Sequence, residues 1–143
     1  MSKKMILWVE DEPELQAIRV RKLKRELGDI EILFARNPVE AIRELDSNKG
    51  NIVGVILDLM LPLGDGTSGQ STFRSGIELA KNICDKYPSM KIVVLTNLSK
   101  YTHTGKQIWD ELENISCVIE MLEKTASISR FVNAVVETFE IKS

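Results

Sequence analysis

Histidine occurs once, cysteine twice and proline four times in these 143 residues, and aromatic side chains make up only 6% of the chain. Each scarcity removes a class of explanation. Cys84 and Cys117 lie in apolar patterns and form no C-x-x-C, so neither a disulfide framework nor a zinc site is indicated, and both read as buried, reduced packing residues. The single histidine, His103, is expected in a polar loop with no acid and serine arranged around it, which argues against nucleophilic catalysis or phosphohistidine chemistry there. No apolar run approaches the roughly 18 residues that span a bilayer, and the run from Met5 is too short for a signal-peptide core before it meets Glu10-Asp11-Glu12. One-sided charge is missing too: nineteen basic against twenty-one acidic residues leave a net charge of -2, which does not suit general nucleic-acid binding or electrostatic attachment to membranes. The expectation is a cytoplasmic protein whose business is with neither.

What the chain has is short apolar runs separated by helical patterns. Strands are expected at Met5–Val9, 30–34, Ile52–Leu57 and 91–95, with a weaker one at 117–122; they are rich in Ile, Val and Leu, as strands buried on both faces should be. A first helix starts at Pro13, carries Val20, Leu23 and Leu27 inward and stops at Gly28. A second opens on Asn37-Pro38 and turns Val39, Ile42 and Leu45 to the core. A third covers about 75–87 on Ile77, Ala80, Ile83 and Cys84, stopped by Pro88; a fourth covers about 105–112. The last begins near Ser127, with Ile128, Phe131, Val132, Val135 and Phe139 on one stripe. The alternation of strand and helix predicts an α/β fold, a doubly wound five-stranded parallel sheet with helices on both faces and right-handed crossovers. A domain of this length buries roughly 70% of its unfolded surface, so residues 1–143 read as one domain.

In such sheets ligands bind at the carboxyl ends of the strands. Glu10, Asp11 and Glu12 follow the first strand and Asp58 follows the third, so their carboxylates converge at that edge. Any one of these acids alone reads as readily as a helix cap or a solvated charge. Together they repel one another, and a divalent cation is the natural way to keep them ionised at neutral pH. Magnesium takes one or two carboxylates, keeps waters and leaves positions for phosphate oxygens, while Asp58 can act as a nucleophile toward a phosphoryl group. Thr96 ends the fourth strand and Lys124 follows the fifth, adding a hydroxyl and an ammonium to the same edge.

At these positions the chain resembles the response-regulator receiver domain of two-component signalling. The stretches that carry the likeness are Ile6-Leu7-Trp8-Val9-Glu10-Asp11-Glu12-Pro13, Val55-Ile56-Leu57-Asp58-Leu59-Met60-Leu61-Pro62, Val94-Leu95-Thr96 and Leu122-Glu123-Lys124, in that order along nearly the whole chain. The resemblance implies a flavodoxin-like, receiver-type fold in which Asp58 accepts a phosphoryl group from a sensor histidine kinase or a histidine phosphotransfer protein. It implies a Mg2+ (or Mn2+) site made by Glu10, Asp11, Asp58 and the backbone carbonyl of Met60. Lys124 would pair with the phosphoryl oxygens and the Thr96 hydroxyl would move to meet one of them, biasing a domain that already samples two arrangements. The output would be a protein–protein contact with a downstream target on about 100–112 and 117–140, with homodimerisation of the phosphorylated form left open. The protein would be a phosphoacceptor with self-phosphorylation and autodephosphorylation chemistry, not a turnover enzyme. With no output segment after residue 143, a stand-alone receiver is expected.

Departures from the family pattern modify these expectations. Glu10 stands where aspartate is more usual, and its extra methylene shifts the metal or routes the contact through water. Met121 takes the place of an aromatic partner to the switching hydroxyl, which alters the coupling. Thr125 replaces the usual proline after the lysine, so no cis peptide is expected there. Met60 and Leu98 are apolar where a hydrolytic water could be oriented, which implies slow loss of the phosphoryl group. The glycine-rich stretch 63–74 reads as a long surface loop beside the Asp58 site, concerned with partner choice or access, or a tolerated insertion. Its Gly64, Gly69, Gln70 and Ser71 echo a P-loop with glutamine where lysine is needed. Arg19, Arg21, Lys22, Lys24 and Arg25 crowd the first helix as a solvated face or a docking surface, and Trp8 and Trp109 read as packing residues. Two other functions fit less of the pattern: a phosphate-independent receiver-like interaction module, suggested by Glu10 and Met121, and an aspartyl-phosphate phosphohydrolase, which would need a second acid where the chain reads Asp58-Leu59-Met60-Leu61.

Overall fold

The computed structural model describes residues 3–62 and 72–141. Five strands, β1 (Met5–Val9), β2 (Glu31–Ala35), β3 (Ile52–Leu57), β4 (Ile92–Thr96) and β5 (Val118–Glu123), alternate with five helices: α1 (Ala17–Leu27), α2 (Pro38–Ser47), α3 (Phe73–Lys86), α4 (His103–Glu113) and α5 (Ile128–Thr138). A 3-10 turn over Pro13–Gln16 leads into α1. All strand pairings are parallel and the order is β2-β1-β3-β4-β5. The chain leaves β1 toward β2 on one side and returns through β3 to β5 on the other, so the topological switch lies between β1 and β3.

The sheet is covered on both faces because its strands alternate two apolar sets. Leu7, Val9, Val55, Leu57 and Val94 pack with Leu45 of α2, Ile77 and Ile83 of α3 and Leu112 of α4. Ile6, Trp8, Ile56, Val93 and Leu95 pack with Leu23 and Leu27 of α1 and with Phe131, Val132 and Val135 of α5. Trp8 is fully buried and stacks on Phe34, with its ring also against Phe131, the packing role expected of it.

Local signals place the helix ends. The Asn37 side chain accepts from the Glu40 N–H ahead of Pro38, Ser127 caps α5 through the Arg130 N–H, and Gly28 ends α1 at a φ of 62°. Thr72 caps α3 through the Ser75 N–H and bridges back to Leu61, so Thr72, Phe73 and Arg74 belong to the helix and its cap, not to the loop expected there. The remainder of that loop, with the P-loop echo from Gly64 to Ser71, lies outside the described residues.

Three other expectations are corrected. Cys84 and Cys117 form a disulfide, not two reduced thiols: the end of α3 lies against the segment entering β5, with the Cα atoms 5.7 Å apart, a separation that sequence distance conceals. Val39 is 46% exposed, because the stripe of α2 that meets the core runs through Ala41 and Leu45, and at about 100° per residue Val39 points away from it. His103 is the first residue of α4, whose cap is Thr102, and is not in a loop. Among the described residues no helix is long and apolar enough to cross a membrane.

Candidate functional site

Parallel pairing sets the acids side by side. Val9 faces Leu57 in register, and the Asp58 N–H donates to the Val9 carbonyl at 3.0 Å, so the residues after β1 and β3 leave the sheet together at the switch point. Glu10, Asp11 and Asp58 each offer an oxygen within 4.8 Å of the others. Glu10 and Asp58 are buried and Asp11 is half-buried. The Asp58 carboxylate accepts from the Met60 N–H at 3.3 Å, which fixes the start of the loop leaving β3. That loop is pressed close by α3: the Gly76 N–H donates to the Leu59 carbonyl at 3.1 Å, and a Cβ at Gly76 would stand 2.3 Å from the Leu59 Cα, so only glycine fits.

Lys124 completes the cluster. Its Nζ lies 3.0 Å from Asp58 Oδ2 and 3.4 Å from Glu10 Oε2, with the side chain largely shielded. Burial pulls the Lys124 ammonium down, but the charge and hydrogen bond of Asp58, and those of Glu10, outweigh it and leave the pKa raised. Glu10 responds the other way. Burial, followed by the Asp58 charge, pushes its carboxyl from an ordinary 4.5 up to about 8, against the opposing pull of Lys124. One ammonium therefore does not balance two buried carboxylates with a third beside them. An all-oxygen donor set with unbalanced negative charge fits a hard divalent cation such as Mg2+ or Mn2+.

Thr96 is fully buried at the end of β4. Its hydroxyl accepts from the Leu98 N–H at 3.1 Å and makes no hydrogen bond to Asp58 among the described residues. Met121 is half-buried on β5, opposite Val94, and shares a surface hollow of about 260 Å³ with Lys100, Tyr101 and Trp109.

Solved structures supply the comparison. A response-regulator receiver domain protein from Clostridium thermocellum superposes with a TM-score of 0.70 at 22% identity, covering 96% of this chain and 94% of that one. The signal receiver domain of an HD-domain protein from Pseudomonas fluorescens Pf-5 gives 0.72 at 22% identity, over 96% and 95%. A response regulator from Burkholderia pseudomallei, solved with a phosphorylated aspartic acid, a calcium ion and citrate, gives 0.65 at 22%, over 96% and 69%. The fold is that of response-regulator receiver domains. No protein-family model and no curated protein matches the sequence.

Within the receiver fold, the structure brings Glu10, Asp11, Asp58 and Lys124 into one cluster, while Thr96 and Met121 stand behind it on β4 and β5. Among the described residues there is no cis peptide, and the bond from Lys124 to Thr125 is trans. Two contacts escaped the sequence reading. The Trp109 indole N–H donates to the Leu98 carbonyl at 3.0 Å, tying α4 to the segment after β4 whose Leu98 N–H holds the Thr96 hydroxyl, with Lys100 Nζ over the indole ring at 5.7 Å. Arg19, counted among the basic residues of α1, donates through its guanidinium to the Lys124 carbonyl. Neither pairing leaves a local pattern, because each is set by the packing of helices against distant loops.

Proposed function

We propose that this protein is a phosphorylation-controlled signalling switch in which Asp58 accepts a phosphoryl group from the phosphohistidine of a sensor histidine kinase or of a phosphotransfer protein. The observation that carries the reading is the Lys124 ammonium 3.0 Å from Asp58 Oδ2, beside Glu10 and Asp11 at the switch-point edge. An Asp58 oxygen attacks phosphorus in line as the phosphorus–nitrogen bond breaks; its electron pair returns to the imidazole, which takes a proton from solvent. Lys124 exchanges its ion pair with Asp58 for one with the phosphoryl oxygens. Glu10, Asp11, Asp58 and the Met60 carbonyl would hold Mg2+ or Mn2+, which supplies neutralisation of charge on the transferring oxygens. The Thr96 hydroxyl, now held by the Leu98 N–H, can rotate to a phosphoryl oxygen, and Trp109 then feels the change through the Leu98 carbonyl.

In this reading the described elements form one receiver unit acting in the cytoplasm. Leu15 and Ile18, 68% and 62% exposed on the 3-10 turn and α1, offer the phosphodonor an apolar contact next to the site. Tyr101, Ile119 and the hollow lined by Trp109 and Met121 offer a downstream protein another. The test is incubation with acetyl phosphate and magnesium, read by intact mass. A single phosphoryl adduct on the wild type, absent from Asp58→Asn and without added metal, and lasting minutes because Met60 and Leu98 give a hydrolytic water no polar hold, is expected. Equal labelling of Asp58→Asn would reject Asp58 as acceptor.

A further inference from the structure

We propose that Arg19 is a positioning residue for Lys124, holding the backbone from which the ammonium reaches the Asp58 phosphoryl group; this rests on the phosphoacceptor reading above. A lysine side chain is a point charge on a flexible stem, so its aim depends on how firmly its own backbone is held. Lys124 sits just past the end of β5, an edge strand. Its N–H is fixed by the Thr96 carbonyl at 2.7 Å. Beyond it the chain turns at once, with the Ala126 N–H donating to the Glu123 carbonyl at 2.9 Å, and the sheet offers the Lys124 carbonyl no neighbour.

Arg19 fills that place from across the fold. Its Nη2 donates to the Lys124 carbonyl at 2.5 Å and its Nη1 to Gln16 Oε1 at 2.8 Å. Gln16 is a buried polar side chain, 5% exposed, so the guanidinium fork is aimed by a rigid partner. The Arg19 Nε is buried without a partner among the described residues. That atom gives up its hydrogen bond so that the fork can span Gln16 and Lys124. With every described peptide trans and Thr125 following, the turn after Lys124 has no ring constraint to hold it. The clamp joins α1 to the β5–α5 turn and supplies that constraint.

A staple that merely stabilises the fold makes different predictions from one that aims Lys124, and a double-mutant cycle separates them. Labelling by acetyl phosphate at saturating magnesium is followed by intact mass over a range of donor concentrations, for wild type, Arg19→Met, Arg19→Lys, Lys124→Ala and the Arg19→Met/Lys124→Ala pair. Arg19→Met lowers the maximal rate roughly tenfold or more, as misplacement by a fraction of an ångström does, while the half-saturating donor concentration stays within about twofold. Arg19→Lys, which keeps one donor for the carbonyl, gives an intermediate rate. Once Lys124 is alanine, removing Arg19 costs nothing more. Should Arg19→Met fail to fold, Arg19→Lys and Gln16→Leu, each with its Lys124→Ala partner, carry the same comparison. Wild-type rates in the Arg19 variants, or independent additive losses in the cycle, overturn the proposal and leave Asp58 as acceptor. A wild type that takes no label removes the phosphoacceptor reading and this inference with it.

Discussion

Glu10 keeps its proton to about 8 because burial and the Asp58 charge both oppose its ionisation. The sign of the consequence is fixed by linkage. Its folded pKa stands above the ordinary 4.5, so between that value and about 8 the folded protein holds a proton that the unfolded chain has released. Metal-free stability therefore declines as pH rises across that window and levels above it. Urea titrations at several pH values should show the decline in the wild type and its loss in Glu10→Gln; a stability flat from acid to neutral pH contradicts the assignment. A divalent cation must displace the same proton, so magnesium affinity should climb with pH up to about 8, by at most ~10-fold per pH unit. Glu10, Asp58 and Lys124 were legible in the sequence because each follows directly on a strand, with Asp11 one residue further on, and strand ends in a parallel sheet share an edge. The Arg19–Lys124 contact was not, since its partners are 105 residues apart and meet only through the packing of α1 against α5.

Elements were easier to read than their margins. Short runs of Ile, Val and Leu fixed the five strands to within a residue at either end, and Asn37, Ser127 and Gly28 marked helix ends by capping chemistry that is wholly local. Val39 misled because the apolar spacing of α2 fits two neighbouring stripes, and the one that is buried runs through Ala41 and Leu45, with Ile42 at its margin. The start of α3 was hidden by polar residues that turned out to be its cap. That helix also governs the site, since Gly76 lets it touch the backbone just after Asp58. Gly76→Ala gains helix propensity but forces its Cβ against the Leu59 backbone, and overpacking of this kind costs roughly 1–3 kcal/mol. Chemical denaturation should find the variant destabilised by about that amount and labelled more slowly with phosphoryl; an unchanged midpoint means that α3 can slide away from the Asp58 loop.

For the molecule as a whole, the two apolar faces of the sheet account for the fold, and the Cys84–Cys117 link joins α3 to the segment entering β5 on the side remote from Asp58. Composition alone pointed to reduced thiols, because two cysteines without a motif say nothing about which strands and helices will lie together. The bridge closes a span of 33 residues, and a link of that kind stabilises by roughly 2–4 kcal/mol, chiefly through the unfolded chain. Protein prepared without reductant should show no alkylatable thiol until unfolded and reduced, and reductant should lower its melting temperature while Asp58 labelling persists. Two thiols reactive in the denatured but unreduced chain would show that the pair is not bonded.

The account turns on where the phosphoryl group goes. Acyl phosphates are reduced by borohydride to the alcohol, so trapping after acetyl phosphate and magnesium, followed by peptide mass mapping, writes the acceptor's position into the chain. The account predicts homoserine at position 58 and at no other acid, dependent on the metal. Reduction at Glu10 or Asp11, or a chain with no homoserine while an intact-mass adduct is present, contradicts it.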